Sequence, residues 1–122
     1  MKKIVLVIEQ DLKWKKIFSH SLNEKGIEFL QADTLEEAEK FYSANSEKIS
    51  IVVMGSCAGN KLQQSVDLIK KIRLTFNGPI IASARSTMYM DELTDAGCDF
   101  KCYKLTGFFI DVLENALKKL GD

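Results

Sequence analysis

The amino-acid sequence predicts an alternating α/β domain in which a five-stranded parallel sheet lies between layers of helices. Two observations carry this expectation. Short β-branched runs alternate with longer segments of helical period, and glycine, proline and asparagine fall between them. Two of the runs, Ile4 to Ile8 and Ile49 to Met54, are almost continuously apolar, as a strand covered on both faces must be.

The first strand is Ile4-Val5-Leu6-Val7-Ile8, closed by polar Glu9-Gln10-Asp11. Trp14, Ile17, Phe18 and Leu22 then recur at steps of three and four, and Gly26 stands where a helix stops on a left-handed residue. Ile27 to Ala32 makes a second strand. Thr34 and Glu37 have the spacing of a capping box ahead of Leu35, Ala38, Phe41 and Tyr42. The third strand, Ile49 to Met54, opens into the small and polar residues Gly55-Ser56-Cys57-Ala58-Gly59-Asn60, which suit a loop. Leu62, Val66, Ile69, Ile72 and Phe76 mark the third helix, and Asn77-Gly78-Pro79 breaks it before the strand Ile80-Ile81-Ala82. Tyr89, Leu93 and Ala96 outline a short fourth helix ended by Gly97. Phe100 to Tyr103 is the last strand, and Phe109, Val112, Leu113, Ala116, Leu117 and Leu120 trace an amphipathic helix behind it.

A chain of 122 residues suits one domain with one core, so residues 1–122 are expected to form a single unit. Seventeen basic residues balance seventeen acidic ones, which leaves no electrostatic footprint for nucleic acid or an anionic membrane surface. No apolar run approaches the length of a membrane span. Met1-Lys2-Lys3 precedes an apolar stretch too short for a signal-peptide core, so a cytoplasmic location is expected. Cys57, Cys98 and Cys102 form no CxxC pair, and free thiols are the expectation.

In an open parallel sheet, function collects beyond the carboxyl ends of the strands. The residues there are Glu9-Gln10-Asp11, Gly55 to Lys61, Ser83-Ala84-Arg85 and Lys104. Five βα units with acidic residues after the first strand resemble a response-regulator receiver domain over the whole chain. So do a Pro79-Ile80-Ile81 strand ending in Ser83-Ala84-Arg85, and Ala96-Gly97-Cys98-Asp99 leading to Lys104. The resemblance implies a flavodoxin-like three-layer αβα sandwich of strand order 2-1-3-4-5. In that family an aspartate after strand three accepts a phosphoryl group from a histidine kinase. Two acidic residues after strand one help hold Mg²⁺, while a Ser or Thr after strand four and a Lys after strand five bind the phosphoryl oxygens.

Matched position by position, the chain departs from this pattern. Glu9 and Gln10 fall on the acidic pair, so one carboxylate is replaced by an uncharged amide, although Mg²⁺ favours several hard oxygen ligands. Counting from the third strand puts Gly55 at the phosphoacceptor position; counting back from the third helix puts Cys57 there, with Ser56 between them. None of the three has a carboxylate, so no acyl phosphate can form. The hydroxyl position falls on Ser83 by motif and on Ala84 by counting from Pro79. Lys104 matches the family's lysine, but Leu105 follows it in place of proline, and Lys101 stands at the aromatic switch position.

Each of these residues also has a plainer reading. Glu9 as a lone carboxylate serves a helix start rather than a metal. The loop from Gly55 to Lys61 is one residue short of a phosphate-cradling P-loop, with Leu62 where a Ser or Thr belongs. Cys57 as a nucleophile needs a base, and His20, the one histidine, lies down the first helix on its outer face, roughly 14 Å from the functional edge at 1.5 Å per residue. With no phosphoryl group to bind, Lys104 is expected to meet Glu9 or a loop carbonyl.

The expectation is therefore a degenerate, non-enzymatic receiver whose pocket comprises Glu9, Gln10, Gly55, Ser56, Ser83, Ala84 and Lys104, with no cofactor and no Mg²⁺ site. It would act through a protein partner, a histidine kinase or a downstream effector. That partner would dock on the face of helix four, strand five and helix five, with contacts from Lys101, Tyr103 and Phe108. The alternatives are a working phosphorelay receiver with a non-standard site, and a small cysteine-dependent enzyme using Cys57.

Overall fold

A computed structural model describes residues 3–55, 62–104 and 108–121. Along the chain run β1 (Ile4–Ile8), α1 (Leu12–Glu24), β2 (Glu28–Ala32), α2 (Leu35–Asn45) and β3 (Ile49–Met54). They are followed by α3 (Leu62–Arg73), β4 (Ile80–Ala84), α4 (Thr87–Ala96), β5 (Phe100–Tyr103) and α5 (Phe109–Lys119). The five strands pair in parallel in the order β2-β1-β3-β4-β5, the flavodoxin-like arrangement.

The strand period of two divides the apolar runs between two layers. Leu6, Ile8, Val52 and Met54 pack with Ala38 of α2, Ile69 of α3 and Met90 of α4. Val5, Val7, Ile51 and Val53 pack on the other face with Phe18 of α1 and Phe109 and Leu113 of α5. The register slips between Ile4 and Val5, where Ser50 is the extra residue, so Ile49 and Val52 reach the same face although three positions apart. Full burial of each such side chain contributes about 1.5–3 kcal/mol, so these two strands anchor the core.

Local chemistry fixes the helix starts. The side chains of Asp11, Thr34 and Ser86 accept the backbone N–H groups of Lys13, Glu37 and Tyr89 at 2.9, 3.1 and 3.0 Å. The Glu37 carboxylate completes the box on the N–H of Asp33 at 2.9 Å, one residue before the cap. Gly97 ends α4 at φ +134°, and a Cβ there would meet Cγ of Arg73 at 2.8 Å.

Several boundaries differ from the expectation. α3 ends at Arg73, and Phe76 packs into the core from the following turn. β4 runs on to Ala84. In α4 the buried stripe is Met90, Leu93 and Ala96, whereas Tyr89 is half-buried with its hydroxyl 3.3 Å from that of Ser65. Tyr89 leans toward α3 because its polar end needs a partner that the core does not offer. Among the described residues no helix is long and apolar enough to cross a membrane.

Candidate functional site

The carboxyl ends of β1, β3, β4 and β5 converge, as the strand order requires. At their centre is Glu9, the residue after β1, whose side chain is fully buried. Its Oε2 accepts the N–H groups of Gln10 and Asp11 at 3.2 and 3.1 Å, and its Oε1 accepts the Lys104 ammonium at 2.6 Å. Lys104 is almost as deeply buried, with its side chain 3% exposed. Its backbone N–H donates to Ala84 O at 2.9 Å, and its ammonium lies 5.6 Å from the centroid of the Trp14 ring. A carboxylate with both oxygens engaged and an ammonium seated on an indole face is a satisfied buried pair.

Gly55, the residue after β3, makes this pair possible. A Cβ on it would stand 2.2 Å from Glu9 Oε1 and 2.8 Å from Ile8 O. Among the described glycines, the positive-φ ones are Gly26, Gly97 and Gly121, so no left-handed backbone calls for a glycine at position 55. The demand is for space: the Glu9 carboxylate fills the volume that a side chain from β3 would enter. Of the two acceptor positions read from the sequence, Gly55 therefore abuts Glu9, while Cys57, like Ser56, lies outside the described residues.

A cleft of about 400 Å³ opens above the pair, lined by Asp11, Ala84, Arg85, Ser86, Tyr89 and Lys104. The hydroxyl read at Ser83 is not among its walls. Ser83 is the register partner of Cys102, so strand alternation turns it with Ile81 toward α1 and α5, where its hydroxyl is buried beside the Cys102 thiol. The reading of Ser83 as the oxygen donor of the cleft is thereby corrected, and the methyl group of Ala84 lines it instead. Gln10 is exposed, and its part in the site is its backbone N–H.

The sequence places Arg85 at this edge without a partner, and it does not place Trp14 there. Trp14 was legible only as a core residue of α1. Arg85 lies 3.9 Å from Asp11 across the mouth of the cleft, a pairing of two loops that no local spacing announces. Gln31 of β2 also reaches over, donating to Glu9 O at 2.9 Å.

The donor set does not fit the Mg²⁺ ion that the resemblance implies. Glu9 has committed both oxygens, Gln10 is turned outward and Gly55 has no side chain; among the described residues no cluster of three or more His, Cys, Asp or Glu side chains could hold a metal. Burial pushes the Cys98 thiol up to about 12 and the Cys102 thiol up to about 11, so both are protonated packing groups rather than nucleophiles. His20 is exposed on α1 and pairs with Glu24 at 3.1 Å. On the expected partner face, Lys101 is exposed and lies 3.6 Å from Asp91, Tyr103 is half-buried, and Phe108 is 72% exposed whereas Phe109 is core.

No protein-family model matches the chain, and no curated protein matches it. Solved structures do. A two-component response regulator from Clostridium difficile is 22% identical, with a TM-score of 0.80 and all of both chains covered. A response regulator receiver domain protein from Clostridium thermocellum is 17% identical, with a TM-score of 0.78 and 99% and 98% of the two chains covered. The BeF3-activated N-terminal receiver domain of Klebsiella pneumoniae RstA is 20% identical, with a TM-score of 0.73 over 95% of this chain and 97% of that one. The chain has the fold of response-regulator receiver domains.

Proposed function

We propose that this chain is a pseudo-receiver: a signalling domain of two-component type that acts by binding a protein partner and not by accepting a phosphoryl group on aspartate. The observation that carries the reading is the occupied site at the end of β3. Gly55 has no carboxylate, and Glu9 fills the space beside it while engaging Lys104. An acyl phosphate needs a carboxylate oxygen free to attack phosphorus, and positions 55, 56 and 57 are Gly, Ser and Cys. The receiver fold and the retained lysine support a signalling origin. The absence of an activated thiol among the described residues, with Cys98 and Cys102 both raised by burial, argues against catalysis by those cysteines.

Partners of this domain are a histidine kinase or a downstream effector, met on the face of α4, β5 and α5, where Lys101, Tyr103 and Phe108 offer a charge, a half-buried ring and an exposed ring. The test is incubation with acetyl phosphate and Mg²⁺ followed by intact-mass measurement. The reading predicts no added phosphoryl group. An acid-stable, hydroxylamine-labile phosphoryl adduct would restore the working phosphorelay receiver.

A further inference from the structure

A receiver-like cleft that has lost its acceptor still holds a buried ammonium, and a buried ammonium needs an anion. Here β1 supplies one. Glu9 Oε1 lies 2.6 Å from Lys104 Nζ, and the same oxygen lies 2.2 Å from the point where a Gly55 Cβ would stand. Glu9 Oε2 is held in turn by the N–H groups of Gln10 and Asp11 at the start of α1. The carboxylate is thus clamped from both sides in a space that only a glycine at position 55 leaves open. Gly55 needs no special backbone conformation, so its role is to make room for Glu9.

We infer that the Glu9 carboxylate is an internal ligand: a fixed anion that occupies a latent carboxylate-sized site on Lys104 and holds the end of β5 in one arrangement without any external charge. The inference rests on the pseudo-receiver reading for its biological sense, but its chemistry is independent of it. Cutting Glu9 back to alanine empties the site while Lys104, Trp14 and the two N–H groups stay in place. A small free carboxylate then has the same donors to meet, and binding to the folded state alone raises stability by mass action.

The experiment compares wild type, Glu9→Ala, Glu9→Gln and Glu9→Ala/Lys104→Met in sodium formate against sodium chloride of equal ionic strength. Melting temperature and Trp14 fluorescence, whose ring faces the ammonium, are the readouts. Glu9→Ala is expected to gain about 4 °C or more, saturably, in formate. Its Trp14 emission should return toward that of wild type. The wild type, whose site is filled, and Glu9→Gln, whose amide blocks the space, should not respond, nor should the double variant, which lacks the cation. If Glu9→Ala is unfolded in chloride, refolding in formate supports the inference and failure to refold contradicts it. Equal responses in Glu9→Ala and Glu9→Gln, or none in Glu9→Ala, would overturn it. A phosphoryl adduct on the wild type would instead defeat the pseudo-receiver reading and leave this chemistry standing.

Discussion

Glu9 and Gly55 are complementary, and the complementarity is measurable. Replacing Gly55 with alanine drives a Cβ against Glu9 Oε1 and Ile8 O, an overpacking that costs roughly 1–3 kcal/mol in stability. Combining it with Glu9→Ala relieves the side-chain clash while leaving the one with Ile8 O, so a double-mutant cycle read by urea unfolding should show coupling of at least about 0.5 kcal/mol. Additive effects would mean that the two residues do not share the space. Breaking the ion pair from one side should be harsher: Lys104→Met leaves Glu9 buried without its cation, a loss of about 3–5 kcal/mol, whereas the paired Glu9→Gln/Lys104→Met change should recover much of it. Equilibrium unfolding of the three proteins checks this. At this scale the sequence was informative about identity and poor about direction. That Lys104 would meet Glu9 follows from where two loops end on a parallel sheet. That Ala84 rather than Ser83 lines the cleft depends on β4 running to residue 84, because one residue of register turns a side chain to the opposite face.

The elements are held at the opposite edge by a device that the sequence pattern does not display. Arg73, the last residue of α3, donates to Phe76 O at 3.1 Å, Gly78 O at 2.7 Å and Gly97 O at 2.9 Å, and pairs with Asp99. The Asp99 carboxylate also accepts the N–H of Ile80 at 2.9 Å, so one pair stitches the turns that precede β4 and β5. Gly97→Ala would place a methyl group 2.8 Å from Arg73 Cγ at a left-handed φ, and is expected to destabilise by at least about 1 kcal/mol, seen as a lower urea midpoint. An unchanged midpoint would mean that Arg73 yields freely. Strands β1 and β3 were readable to the residue because their β-branched runs are covered on both sides. The ends of α3 and β4 were not, since Phe76 keeps the helical period past the point where the helix stops.

For the molecule as a whole, the two buried thiols set a pH dependence. Each folded-state value, about 12 for Cys98 and about 11 for Cys102, lies above the ordinary thiol value, so folding favours the protonated form. Their contribution is therefore complete below about pH 8.5 and is lost as pH rises through the folded values. Urea midpoints should fall above about pH 9, and fall less steeply in Cys102→Ala, because the thiolate that unfolding releases is then absent. The same burial predicts that neither thiol reacts with iodoacetamide in the native protein near neutral pH.

The chain has the receiver fold, Glu9 fills the space beside Gly55, and the proposed pseudo-receiver role turns on that contact. A titration of the ¹⁵N-labelled chain with beryllofluoride and Mg²⁺, followed by amide chemical shifts of Gly55, Ala84 and Lys104, reads it most directly. The account predicts no saturable change, because Glu9 already holds the ammonium and leaves no carboxylate to take the fluoride complex. Saturable shifts at these three amides in the wild-type chain would contradict it.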